Sequence, residues 1–125
     1  MSDTGVPVYV VDDDESVRES IEGLMRSVGY PVKAYASAEA FLSSGHLGDT
    51  SCLILDVRMP GMDGMELHRR LLASHRKTPV IFITAHASDE RVRAKALANG
   101  AVDFLSKPLS EDELLSAVRK ALSSK

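Results

Sequence analysis

Two apolar patterns alternate along the chain. Short apolar runs, the first rich in valine, are followed by longer stretches in which apolar positions recur every three or four residues. The first run, Val6 to Asp12 (VPVYVVD), predicts a strand buried on both faces. Val17, Ile21, Leu24, Met25 and Val28 then share one helical face, and Gly29 marks the stop. Val32 to Ala36 predicts a second, weaker strand, and Ser37 a cap for a short helix carrying Phe41 and Leu42. Cys52 to Asp56 (CLILD) is a third buried run. Asp63 and Glu66 form a capping-box variant that opens a helix with Leu67, Leu71 and Leu72. Pro79 to Ala85 (PVIFITA) predicts a fourth strand. Ser88, Asp89 and Glu90 start a helix ending near Asn99-Gly100, with an apolar side of Ala94, Ala96 and Ala98 plus Val92 and Leu97. Phe104 to Lys107 is the fifth strand, and Ser110 with Glu113 caps a last helix bearing Leu114, Leu115, Val118 and Leu122.

These are five β-α units. Strands apolar on both faces belong in a parallel sheet with helices on both sides. Right-handed crossovers restrict the topology. A doubly wound α/β sheet of order 2-1-3-4-5 is the expected arrangement, although periodicity alone does not fix the order.

A length of 125 residues fits one domain, residues 1–125, and the closing SSK is either an end or the start of a linker from about residue 123. The net charge of -3 argues against direct nucleic-acid binding and against attraction to an acidic membrane. No apolar run reaches the roughly 20 residues that span a bilayer, and MSDTGVP lacks a signal-peptide pattern. Cys52 is the only cysteine, so no intrachain disulfide forms, which suits a cytoplasmic location. His46, His68, His75 and His86 show no metal-ligand spacing. Arg91, Arg93 and Lys95 read as a solvated helix face, or with Glu111 and Asp112 as charges bridging two subunits. Met59, Met62 and Met65 are either a docking surface or gap fillers.

Candidate chemistry lies where the strands stop. The first ends at Asp12-Asp13, the third at Asp56, the fourth at Thr84 and the fifth at Lys107. Parallel strands share one carboxyl edge, and ligands bind there at the point where strand order reverses. That places Asp13 opposite Asp56. Clustered carboxylates with few neutralising partners suit a hard divalent cation, and Mg²⁺ fits best because it keeps waters that a phosphate can replace. Lys107 and Thr84 add a positive charge and a hydroxyl donor for a multi-oxygen anion, the requirement of phosphoryl transfer. Asp56 is the best candidate for a carboxylate nucleophile, beside the Gly- and Pro-containing loop VRMPGMDG. Each residue alone has a plainer reading. Asp12 to Glu15 can be helix-start charge, Asp56 a cap for the Gly61 or Gly64 amide, Thr84 an ordinary strand residue and Lys107 a solvated cation.

The segments VVDDDESVR, LILDVRMPGMDGMEL, VIFITAHA and NGAVDFLSKP, in this order, resemble the receiver domain of two-component response regulators over Val8 to about Leu122. In finer texture they are similar to the FixJ-like transcription regulators. The resemblance implies the flavodoxin-like form of the 2-1-3-4-5 fold. It implies that Asp56 takes phosphate from a phosphohistidine on a sensor histidine kinase. Asp12, Asp13, Asp56 and the backbone carbonyl of Arg58 would bind Mg²⁺, Asp13 directly and Asp12 directly or through water. Thr84 and Lys107 would hold the phosphate oxygens. Phe104 would be the switch aromatic, turning inward with Thr84, and it stands where many members carry Tyr. Arg58 and His86 would tune the lifetime of the phosphoryl group. The Lys107-Pro108 bond is expected to be cis. The implied product is a phosphoacceptor that assists its own phosphorylation and dephosphorylation and switches the face formed by helix 4, strand 5 and helix 5. Its implied partners are the kinase, a second copy on phosphorylation, and a C-terminal DNA-binding effector domain not in this chain.

Two rival functions share parts of this pattern. A Mg²⁺-dependent phosphatase with an aspartyl nucleophile needs a second acid just after Asp56, and Val57, Arg58 and Met59 supply none. A constitutive adaptor of the same fold would not need Asp56 or Lys107, and both are present.

Overall fold

The computed structural model describes residues 7–45, 51–74, 77–85 and 90–123. Within them the chain forms β1 (Val8–Val11), α1 (Glu15–Ser27), β2 (Val32–Tyr35), α2 (Ala38–Ser43), β3 (Cys52–Asp56), α3 (Gly64–Ala73), β4 (Val80–Thr84), α4 (Glu90–Ala98), β5 (Asp103–Ser106) and α5 (Glu111–Ser123). The strands make one five-stranded sheet of order β2-β1-β3-β4-β5. Every neighbouring pair is parallel, with Val10 opposite both Ala34 and Ile54, Asp56 opposite Ile83, and Phe82 opposite Phe104.

Side chains alternate across a strand, so each central strand feeds two cores. Val8, Val10, Cys52, Ile54, Ile81, Ile83 and Leu105 point to one side, where Ile21 and Met25 of α1 and Leu114, Val118 and Leu122 of α5 cover them. Tyr9, Val11, Leu53, Leu55, Val80, Phe82 and Phe104 point to the other, against Phe41 of α2, Leu67 and Leu71 of α3 and Ala96 of α4. Full burial of one such aliphatic side chain contributes roughly 1.5–3 kcal/mol. α4 receives little of this, because Ala96 is its single buried residue.

The elements match the sequence pattern, with shifts at their ends. The fifth strand starts at Asp103 rather than Phe104 and ends at Ser106 rather than Lys107. Asp103 joins because its backbone pairs with Ile81 in the ladder. β2 stops at Tyr35 and β4 runs from Val80 to Thr84, one residue inside the expected limits at each of those ends. Ser88 and Asp89, the expected start of the fourth helix, lie outside the described residues, as do Val6, His46, His75 and His86. The Lys107-Pro108 peptide bond is cis. Among the described residues, no helix is long and apolar enough to cross a membrane.

Candidate functional site

The acidic run after β1 divides its labour. Asp12 still follows the sheet, its amide donating to the Tyr35 carbonyl at 3.1 Å. The chain then turns, with the Asp14 amide donating to Asp12 Oδ1 at 2.9 Å. Asp14 is the N-cap of α1, accepting from the Ser16 amide at 2.9 Å, and Glu15 occupies the first turn. Both therefore meet the positive end of a helix, which offsets part of their mutual repulsion. Asp12 and Asp13 are left for another purpose. Asp12 is fully buried, whereas Asp13 is exposed. Arg18, one turn into α1, donates through Nη1 to the Asp12 carbonyl at 2.8 Å and fixes the turn from behind.

Asp56 ends β3 and is buried. The next amide, that of Val57, donates to the Ile83 carbonyl at 3.0 Å and carries the β3–β4 ladder one step past the carboxylate. Lys107 follows β5, its own amide donating to the Thr84 carbonyl at 2.7 Å. Its ammonium reaches back over the sheet edge to lie 2.9 Å from Asp12 Oδ2 and 3.5 Å from Asp56 Oδ2. Asp12, Asp13 and Asp56 each present an oxygen, and these atoms lie within 4.8 Å of one another. Segments more than forty positions apart thus meet at one margin of the sheet, at the β1/β3 reversal of strand order.

The electrostatics of the cluster are unbalanced. Burial, then the charge of Asp12 and, least, that of Asp13 push the Asp56 carboxyl up to about 6, against the pull of Lys107 and of the Arg58 amide bond. Burial alone would lower the Lys107 ammonium, but contact with Asp12 and Asp56 outweighs it and raises its pKa. Asp12 is fully buried, and its Oδ2 is matched by the Lys107 ammonium. One ammonium does not neutralise three carboxylates. A hard divalent cation with oxygen ligands fits this donor set.

The wall beside Asp56 is close-fitting. Gly64 opens α3 directly against it, and a Cβ at residue 64 would lie 2.2 Å from the Asp56 carbonyl oxygen and 3.2 Å from Leu55 Cγ. The Gly64 amide donates to the Val57 carbonyl at 3.0 Å, so Asp56 does not cap it. The Arg58 amide approaches Asp56 Oδ1 at 3.4 Å, and the Arg58 side chain is exposed. Thr84 is buried at the end of β4, and Phe104 is buried in β5 with its ring 6.2 Å from that of Phe82. His86 lies outside the described residues.

Arg93 and His68 are among the residues whose contacts went unread in the sequence. Arg93 does not stand wholly in solvent, because Nη1 donates to the Phe104 carbonyl at 3.0 Å and occupies the open edge of β5. His68 is buried, with its ring 5.4 Å from Phe82 in an edge-on contact. A polar residue within the i, i+3, i+4 apolar stripe of a helix is the signal that marks His68; nothing local marks Arg93.

Comparison with known sequences adds the decisive observation. The sequence pattern of the response regulator receiver domain family matches residues 8–119. The chain belongs to this family. The receiver is 44% identical over 122 residues to the response regulator protein TodT of Pseudomonas putida, covering 98% of this chain and 53% of that protein. It is 38% identical over 115 residues to the transcriptional regulatory protein FixJ of Bradyrhizobium diazoefficiens, covering 92% of this chain and 56% of that one. The receiver thus spans about half the length of these curated relatives. Its fold overlays the response regulator StyR with a TM-score of 0.87 at 44% identity, over 94% of this chain and 59% of StyR. It overlays FixJ-N with a TM-score of 0.85 at 38% identity, over 98% and 96% of the two chains. The family and the fold expected from the sequence are both borne out, and the receiver is a signal-transduction module of two-component systems.

Proposed function

We propose that this receiver accepts a phosphoryl group on Asp56 from a phosphohistidine of a sensor histidine kinase, with Mg²⁺ bound at the acidic cluster. A carboxylate oxygen of Asp56 forms the new P–O bond as the P–N bond to the donor imidazole breaks, and the imidazole nitrogen leaves with the electron pair. The convergence of Asp12, Asp13 and Asp56 oxygens within 4.8 Å, beside Lys107, carries this reading. Asp12, Asp13, Asp56 and the Arg58 carbonyl would hold the cation. When bound, Mg²⁺ supplies neutralising charge to the phosphoryl oxygens. The Lys107 ammonium, which pairs with Asp12 and Asp56 in this state, turns one arm of that pairing toward a phosphoryl oxygen. The Thr84 hydroxyl donates to another. Arg58 and His86 flank the site in sequence and set how readily water reaches the acyl phosphate. The domain is a phosphoacceptor that assists its own phosphorylation and dephosphorylation, not an enzyme with a separate substrate.

Output follows from the elements tied to Thr84 and Lys107. Movement of Thr84 toward the phosphate lets Phe104 turn inward, and α4 shifts over β5. The face formed by α4, β5 and α5 then pairs with a second copy. Residues 1–125 form one receiver domain with a linker from about residue 123, and the length of the relatives supports a C-terminal DNA-binding effector domain. The protein acts in the cytoplasm, and neither nucleic acid nor membrane is a direct partner of this domain.

Incubation with acetyl phosphate and Mg²⁺ should add one phosphoryl group by intact mass, and Asp56→Asn should take none. Persistent labelling of Asp56→Asn would refute the assignment. Asp13→Ala should abolish Mg²⁺ binding in a titration, whereas unchanged affinity would remove the metal from the mechanism.

A further inference from the structure

The loop between β3 and α3 carries the Arg58 carbonyl, and its ends are anchored by its own backbone. The Val57 amide bonds Ile83 at 3.0 Å, and the Gly64 amide bonds Val57 at 3.0 Å. Between these anchors a carboxylate reaches across from α2. Glu39 Oε2 accepts from the Met62 amide at 3.0 Å, across 23 residues of sequence. Gly61 makes room for it. Its backbone is left-handed, with φ of 76°, and a Cβ there would stand 2.7 Å from Glu39 Oε2. The Met62 bond, with help from Glu39's own amide, holds the Glu39 carboxyl below the usual carboxylate range, so it accepts as the anion at neutral pH. The N-cap of α2 is Ser37, which accepts from the Ala40 amide at 3.0 Å.

We infer that Glu39 is a positioning residue for the cation site: by holding the Gly61–Met62 turn it sets the loop that presents the Arg58 carbonyl beside Asp56. This rests on the metal-binding reading proposed above. Asp12 and Asp56 stand at strand ends whose backbones are held in the sheet, whereas Arg58 belongs to the loop. Ligands held by outer contacts bind metal more tightly than ligands that must be ordered on binding. Charge alone predicts a different pattern of variants, since a distant acid attracts Mg²⁺ whether or not it bonds Met62.

The test compares Glu39→Ala with Glu39→Gln, whose amide oxygen can still accept from Met62 but which carries no charge. In EDTA, Met62 amide exchange followed by NMR should accelerate in Glu39→Ala and stay near wild type in Glu39→Gln. Mg²⁺ affinity by titration should fall about three- to tenfold in Glu39→Ala, the worth of one hydrogen bond, and by less than about twofold in Glu39→Gln. Equal Mg²⁺ affinity in wild type and Glu39→Ala would overturn the inference and leave the metal site standing. Equal weakening by both substitutions would overturn it too, by assigning the effect to charge. A wild-type protein that binds no Mg²⁺ would overturn the metal reading itself, and the positioning role with it, whatever the Met62 exchange shows.

Discussion

At Asp56 a carboxylate sits in a buried place with two acidic neighbours and one cation. Such an arrangement serves ligand binding at the expense of the free fold. Asp56→Asn should therefore raise the unfolding free energy in EDTA at pH 7 by roughly 1–2 kcal/mol, measured by urea titration. Added Mg²⁺ should stabilise wild type and leave the variant nearly unmoved. His68 gives a pH dependence of a separate origin. Burial lowers its pKa from the ordinary 6.5, so the folded protein keeps it neutral. Its contribution to stability is complete above about 6.5 and is lost as pH falls from there toward the folded value. Asp56 has the opposite sign, because a raised pKa favours folding at low pH and that support fades as pH rises through about 6. Comparing wild type with His68→Leu at pH 7.5 and pH 5.5 in EDTA isolates the histidine, since Asp56 is common to both. The loss of urea midpoint on acidification should be smaller in His68→Leu.

Among the elements, the contrast between the last two helices is the sharpest. α5 buries Leu114, Ala117, Val118, Ala121 and Leu122, whereas α4 buries Ala96. Leu114→Ala should cost about 2–4 kcal/mol, and Val92→Ala, half-buried on α4, less than about 1.5 kcal/mol, both by urea unfolding. Amides of α4 should exchange faster than those of α5 by hydrogen-exchange mass spectrometry. The element pattern was legible because β1, β3 and β4 are largely apolar, buried runs and three helices carry caps that the sequence marks: Ser37, Asp63 and Ser110 all accept the amide bonds their positions imply. Strand ends were less legible. Asp103 has poor strand propensity and enters β5 through its backbone partner Ile81, a fact of the neighbouring strand and not of its own side chain. Arg93 shows the same limit on α4, because its acceptor is the carbonyl of Phe104 on the edge strand.

For the molecule as a whole, parallel strand direction explains why the site could be read at all. Once five strands run one way, their last residues share a rim, so Asp12, Asp56, Thr84 and Lys107 could be gathered from sequence alone. The unread parts, Arg18 behind Asp12 and Glu39 against Met62, act through backbone atoms, and backbone atoms leave no residue-type signature. If the rim drives output through Lys107, then Lys107→Ala should still bind Mg²⁺ and take phosphate slowly, but should not dimerise on phosphorylation. Light scattering of the phosphorylated variant checks this, and a normal dimer would count against the coupling.

The tight seat of Gly64 on the Asp56 carbonyl has a consequence for genetics. A screen that scores signalling output would flag position 64 as though it took part in the chemistry, although glycine brings no functional group. Alanine there would have to shift the first turn of its helix or the acceptor's own backbone. Loss-of-signal maps of this domain would thus trace the outline of the proposed phosphoacceptor's footing as well as the proposed group itself.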